Sequence, residues 1–120
     1  MRLSLMFIPF SVFTLSGCVV ADMDSSNYDF PPYVQTFQKQ GQLGHTDTVQ
    51  RKKDLYACGL DRNTDPDSKL WRRNVALEGE TMEQEDRRIA SLEACMKNKG
   101  YVLLDPGRCG PLKKPTGMCN

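Results

Sequence analysis

The residues of widest chemical reach in this chain are five cysteines, Cys18, Cys58, Cys95, Cys109 and Cys119, and a single histidine, His45. A thiol can be acylated, oxidised to a disulfide, bound to a metal as thiolate, or used as a nucleophile. Spacing separates these uses. No two of the five stand as C-x-x-C, the spacing of structural zinc sites and of thiol redox centres. A serine or cysteine nucleophile needs a base, and His45 is the sole imidazole, far from the cysteines in sequence. Gly-x-Ser-x-Gly, a phosphate-cradling glycine loop and His-Glu-x-x-His do not occur. Carboxylates crowd Glu78 to Asp86, but they read as a linker and a helix start rather than a cleft. The chain is therefore expected not to be an enzyme and to need no cofactor or metal.

Cys18 differs from the other four in what precedes it. Met1-Arg2 supplies one positive charge, and Leu3 to Leu15 is a mostly apolar run containing Met6, Phe7, Ile8, Phe10, Val12 and Phe13. Ser16 and Gly17 then offer the small side chains that let a signal peptidase approach the backbone. The run is too short for a bilayer span, which needs roughly 20 apolar residues. A plain secretory signal cut at a nearby small residue is the simpler reading. Leu15-Ser16-Gly17-Cys18, however, resembles the lipobox of bacterial lipoproteins. That resemblance implies removal of residues 1–17, a diacylglycerol thioether on Cys18, and usually a third acyl chain on its amino group. Two or more chains make an anchor that stays in place, where one binds only marginally. In enterobacterial sorting, Asp directly after the cysteine retains such a protein in the inner membrane. Val19 holds that position, and Asp22 and Asp24 come too late, so the resemblance implies lipid anchoring in the outer membrane of a Gram-negative bacterium.

Without residues 1–17 the chain loses Arg2, so Lys+Arg falls from 16 to 15, against Asp+Glu at 15. A charge near zero argues against nucleic acid as a partner. The modest apolar content points to a small core that needs covalent help. With Cys18 assigned to lipid, the remaining four cysteines form an even set in an oxidising compartment, where disulfides are expected over a metal site.

Three regions follow. Residues 1–17 are a signal peptide, 18–45 a lipidated N-terminus and flexible tether, and 46–120 a small disulfide-stapled domain. The tether carries Asp22, Asp24, the Pro31-Pro32 pair and a Gln/Gly patch from Gln38 to Gly44, with no apolar period. As a coil it would span roughly 30 Å. Tyr28, Phe30, Tyr33 and Phe37 interrupt that reading, either as a segment that docks on the domain or as a strip for a partner.

Asp47 caps a first helix that Gly59 ends, with Gln50 placed to reciprocate in a capping box. Val49, Tyr56 and Leu60 fall near one face with Leu55 beside them, and Arg51, Lys52, Lys53 and Asp54 are assigned to water. A second helix over Pro66 to Glu78, capped by Asp65, competes with an irregular segment pinned by Trp71. Trp71 is a core plug or, flanked by Arg72 and Arg73, a surface contact for a partner. Thr81 to Asn98 is the clearest helix. Thr81 and Gln84 form a capping box, Met82, Ile89, Leu92 and Met96 share a face, and Gly100 stops it. Arg87 and Arg88 on the other face read as solvated surface. Tyr101-Val102-Leu103-Leu104 is a short β-prone run closed by Asp105-Pro106-Gly107, and the Gly/Pro-rich tail is irregular. The fold class is therefore expected to be mainly α, a helical hairpin or three-helix domain stapled by two disulfides with an irregular C-terminal tail.

Four cysteines allow three pairings, and the sequence alone does not exclude any. Cys58 and Cys95 each sit in the last turn of an amphipathic helix before a glycine, while Cys109 and Cys119 bracket a loop with no core of its own. Cys58–Cys95 with Cys109–Cys119 is the expected map. Asp54 to Gly59, followed by Cys95 to Tyr101, is also similar to a pattern in small Gram-negative lipoproteins that pair a Cys-Gly helix end with a Cys-Met-x-x-x-Gly-aromatic one. That resemblance carries no activity. The function expected is a non-enzymatic interaction or assembly accessory of the envelope, held to the membrane through Cys18 and bound to an envelope protein. A surface-exposed binder or inhibitor contacting host or extracellular proteins is the alternative.

Overall fold

The computed structural model describes residues 29–120. The signal peptide, Cys18 and the tether as far as Tyr28 lie outside the described residues. Along the chain run a 3₁₀ turn (Tyr33–Thr36), strand β1 (Phe37–Lys39), helix α1 (Thr48–Ala57), helix α2 (Met82–Asn98), strand β2 (Tyr101–Leu103) and a one-turn helix α3 (Pro106–Cys109).

The expectation of a mainly helical domain is overturned. One of the three helices is a single turn, and a two-stranded antiparallel sheet pairs Phe37 with Leu103, Gln38 with Val102 and Lys39 with Tyr101. The Tyr101 run is the expected strand; its partner lies in the stretch assigned to the tether. Hydrogen bonds from Leu104 N to Thr36 O (2.8 Å) and Gln40 N to Gly100 O (2.9 Å) extend the pairing at both ends. Residues from Asp29 onward, assigned to the tether, therefore belong to the fold, and Tyr33 and Phe37 of the aromatic segment dock on it. Val34 and Phe37 join Leu55, Leu92, Met96 and Tyr101 in the core, with Tyr33, Trp71 and the Cys58 side chain packed against it.

The Gln/Gly patch is ordered for a polar reason. Gln38 is fully buried, and an amide there must fill its hydrogen-bonding capacity or lose stability. Its Nε2 donates to Gln35 O and Asn120 O, and its Oε1 accepts from Thr46 Oγ1 (2.6 Å) and Gly44 N. Asn120 closes the ring, accepting from Thr46 N and donating to Thr46 O.

Asp47 caps α1 by accepting from Gln50 N at 3.0 Å, but the Gln50 side chain bonds Asp54 rather than reciprocating. The face of α1 differs from the expected one. Val49 is 65% exposed, whereas Arg51, assigned to water, is 1% exposed beside Leu55. The cysteine marks this face: Arg51, Leu55 and Cys58 follow one another at helical spacing. In α2 the capping box of Thr81 and Gln84 is complete, and Ile89, Leu92 and Met96 are buried, while Met82 at the first turn is exposed.

Two disulfides staple these parts. Cys58 joins Cys95 (Cα–Cα 5.6 Å), linking the ends of α1 and α2, and Cys109 joins Cys119 (Cα–Cα 5.2 Å). Both are the expected pairs, the first from the two helix ends and the second from the coreless loop that it closes.

Candidate functional site

No second helix forms over Pro66 to Glu78; the segment between α1 and α2 is a chain of turns. Its own side chains explain this. Asp61 accepts from Asn63 N, Asp65 from Asp67 N and Ser68 from Leu70 N, each closing a side-chain turn, and the last takes an amide that a helix from Pro66 would have needed. Pro66 is fully buried, and Tyr56 donates to Thr64 O at 2.8 Å, fastening the start of the segment to α1. The far end is fastened to α2. Arg88, read from the sequence as solvated surface, makes a two-pronged pair with Glu80 (2.8 and 3.1 Å) and donates to Val75 O. Glu80 in turn accepts from Leu77 N, and these bonds hold its carboxyl below the usual carboxylate range, with Arg88 the main cause.

Fastened at both ends, the segment arches over a groove of about 560 Å³. Leu60, Trp71, Leu92 and the Cys58 side chain contribute apolar lining, and Leu70, Val75 and Leu77 line the same groove from the segment. These last three are 83%, 50% and 55% exposed, the largest cluster of uncovered aliphatic side chains among the described residues. A monomeric domain leaves single apolar residues exposed as a matter of course, but a contiguous set around a concavity marks a binding surface.

The three residues singled out as a partner contact separate here. Trp71 is half-buried, its ring 4.6 Å from that of Tyr33 and 6.3 Å from that of Phe37, so it is a core plug whose outer side reaches the groove. Arg72 is exposed at the rim. Arg73 turns away to Glu93 (2.7 Å), whose Oε1 also accepts from Tyr33 Oη at 2.8 Å. Glu93 is largely buried. Burial alone would raise its carboxyl, but Arg73 and Tyr33 outweigh that and leave it below the ordinary value. Burial, reinforced by Glu93, holds the Tyr33 phenol well above its usual range. Arg73 is thus a brace for Trp71's neighbour rather than a free contact.

Leu70, Val75 and Leu77 form no helical stripe in the sequence, which is how side chains that line a groove from irregular backbone must look. Nothing in the sequence marked Arg88, because its partner Glu80 lies eight positions earlier, outside the helix. His45 is exposed in the loop before α1. Among the described residues, no three His, Cys, Asp or Glu side chains gather as metal ligands, and no helix is long and apolar enough to cross a membrane.

Comparison with known proteins gives no matching family model, no matching curated protein and no matching solved structure.

Proposed function

We propose that this chain is a lipid-anchored binding module of the Gram-negative outer membrane, a non-enzymatic accessory that docks an apolar segment of an envelope protein into the groove between the turn segment and α2. The anchor rests on the resemblance of Leu15 to Cys18 to a lipobox and on Val19 behind it. The binding role rests on one observation, the exposure of Leu70, Val75 and Leu77 around a single groove. The residues bounding it are otherwise satisfied. Arg88 and Glu80 hold one another, and Asp65 holds Lys52 at 3.2 Å. What the groove offers a partner is apolar area, with Arg72 and Asp61 at its edge.

Site-specific photocrosslinking in intact cells tests this reading. A photoreactive residue at Leu70 or Val75 should give the same discrete adduct with a membrane-fraction protein, and Leu77→Glu should abolish it. The same probe at Lys53, on the exposed side of α1, should give none. Absence of an adduct from both groove positions, or its persistence in Leu77→Glu, would contradict the binding role.

A further inference from the structure

The point where the chain enters the fold has a composition of its own. Asp29 O accepts from Leu112 N at 2.7 Å, which fixes the first described residue against the C-terminal tail. Around that bond, Phe30 and Leu112 are 44% and 48% exposed, and Lys69 and Arg72 border the same hollow. Neither cationic side chain makes a hydrogen bond or ion pair among the described residues. Lys114 follows close by in the tail, also exposed. The single acid in this patch is Asp29 itself.

The length of chain before this point limits where the patch can be. Ten residues, Val19 to Tyr28, separate Cys18 from Asp29, a path of eleven Cα–Cα steps. Fully stretched they reach about 40 Å, and as a coil they average about 20 Å. Resting on the lipoprotein reading above, we propose that the face formed by Phe30, Leu112, Lys69 and Arg72 lies against an anionic bilayer surface and fixes the orientation of the domain on the membrane. Asp29, the described residue nearest to Cys18 in sequence, lies on this face, so a short path to the lipid brings this face to the headgroups. The chemistry suits that surface. An aromatic and an aliphatic side chain enter the interfacial layer, while lysine and arginine meet lipid phosphates, an attraction that fades within a Debye length of the surface. With this face down, Trp71 stands between the membrane and the partner groove, because it lines the hollow beneath and the groove beside it.

Trp71 is the only tryptophan, so its fluorescence reports on this face without any label. The mature full chain is purified from the membrane, its Cys18 acylation read by mass, and the protein reconstituted into vesicles carrying a headgroup-attached spin label. One vesicle set contains phosphatidylglycerol and the other only phosphatidylcholine. Quenching of Trp71 should be strong in the anionic set and weaker in the neutral one. It should fall in 1 M salt, where the Debye length drops from about 10 Å to about 3 Å. Lys69→Glu with Arg72→Glu should reduce membrane contact at least fivefold for each cation removed, since each contributes about that factor near an anionic surface. A chain that is acylated and incorporated but shows no quenching, or equal quenching in parent and variant, overturns the orientation and leaves the anchor standing. A Cys18 that carries no acyl chain overturns the anchor and the orientation together.

Discussion

Arg51 Nη1 donates to the carbonyl of Asn120 at 2.7 Å and to that of Phe37 at 2.9 Å, so one buried guanidinium joins α1, the edge of β1 and the last residue of the sequence. Burial lowers its pKa, partly offset by Asp67 and Tyr101, and its Nε has no hydrogen-bond partner. A cation this deeply buried, with no side-chain carboxylate bonded to it among the described residues, is costly to keep. Removing it is costly too, because the buried Phe37 carbonyl loses this donor and the Asn120 oxygen is left with Gln38 Nε2. Arg51→Met should lower unfolding free energy by about 2–3 kcal/mol. Urea titration measures it, and an unchanged midpoint would mean that the clamp contributes nothing.

The two disulfides should differ in consequence. In the chain-entropy account, the 37-residue separation of Cys58–Cys95 is worth about 4 kcal/mol and the 10-residue separation of Cys109–Cys119 about 3. The first also joins the two long helices among the described residues and sits against the core. Cys58→Ser should abolish cooperative thermal unfolding. Cys119→Ser should lower the midpoint yet keep the transition, because Asn120 is still bound by Arg51, Gln38 and Thr46. Calorimetry of the two variants decides this, and a cooperative transition in Cys58→Ser would reverse the assignment.

Glycine placement gives a sharper comparison. Gly41 and Gly44 both adopt positive φ, but a side chain on Gly44 would run into the carbonyl of Gly117, whereas Gly41 faces open space. Gly41→Ala should cost about 1 kcal/mol from backbone conformation alone. Gly44→Ala must also move the tail, and should cost about 3 kcal/mol. Equal losses in denaturant titrations would show that the tail does not press on this loop.

Two phenols should resist alkali. Burial and then Glu93 raise Tyr33, and burial and then Asp54 raise Tyr101. Tyr101 donates to Asp54 Oδ2 at 2.6 Å. A group raised on folding contributes stability that is complete below its unfolded pKa of about 10 and declines as pH climbs toward the folded value. The opposite sign holds for Glu93, lowered on folding, whose contribution is complete above the ordinary carboxylate range and is lost on acidification. Phenolate absorbance should therefore show Tyr33 and Tyr101 remaining protonated until the domain unfolds in alkali. Glu93→Gln should flatten the acid limb of the stability profile. All tyrosines titrating together near their ordinary value would contradict the packing of both rings.

Helix ends were the most legible part of the sequence. Caps and stops are local chemistry, and Asp47, Thr81 and Gly100 each act within one turn of themselves. The disulfide pairing followed from the same local facts, since a cysteine at a helix end points where the helix packs. Long-range polar pairing left no such mark. Gln38 and Thr46 look like linker residues until Asn120 arrives from the far end of the chain, and Arg51 looks solvated until Phe37 and Asn120 present their carbonyls. β1 was hidden for the same reason: three residues carry no period, and the strand exists because β2 is there to pair with it. The groove was illegible because its lining comes from turns, where no repeat groups Leu70, Val75 and Leu77.

The proposed function stands on lipid at Cys18, and the mass of the mature protein reads that out. Purified from the membrane fraction of a Gram-negative host and digested, the chain should yield an N-terminal peptide that begins at Cys18 and carries acyl chains. Palmitate labelling should be lost in Cys18→Ala. An N-terminus at any other residue, or a Cys18 peptide with a free thiol, would contradict the account.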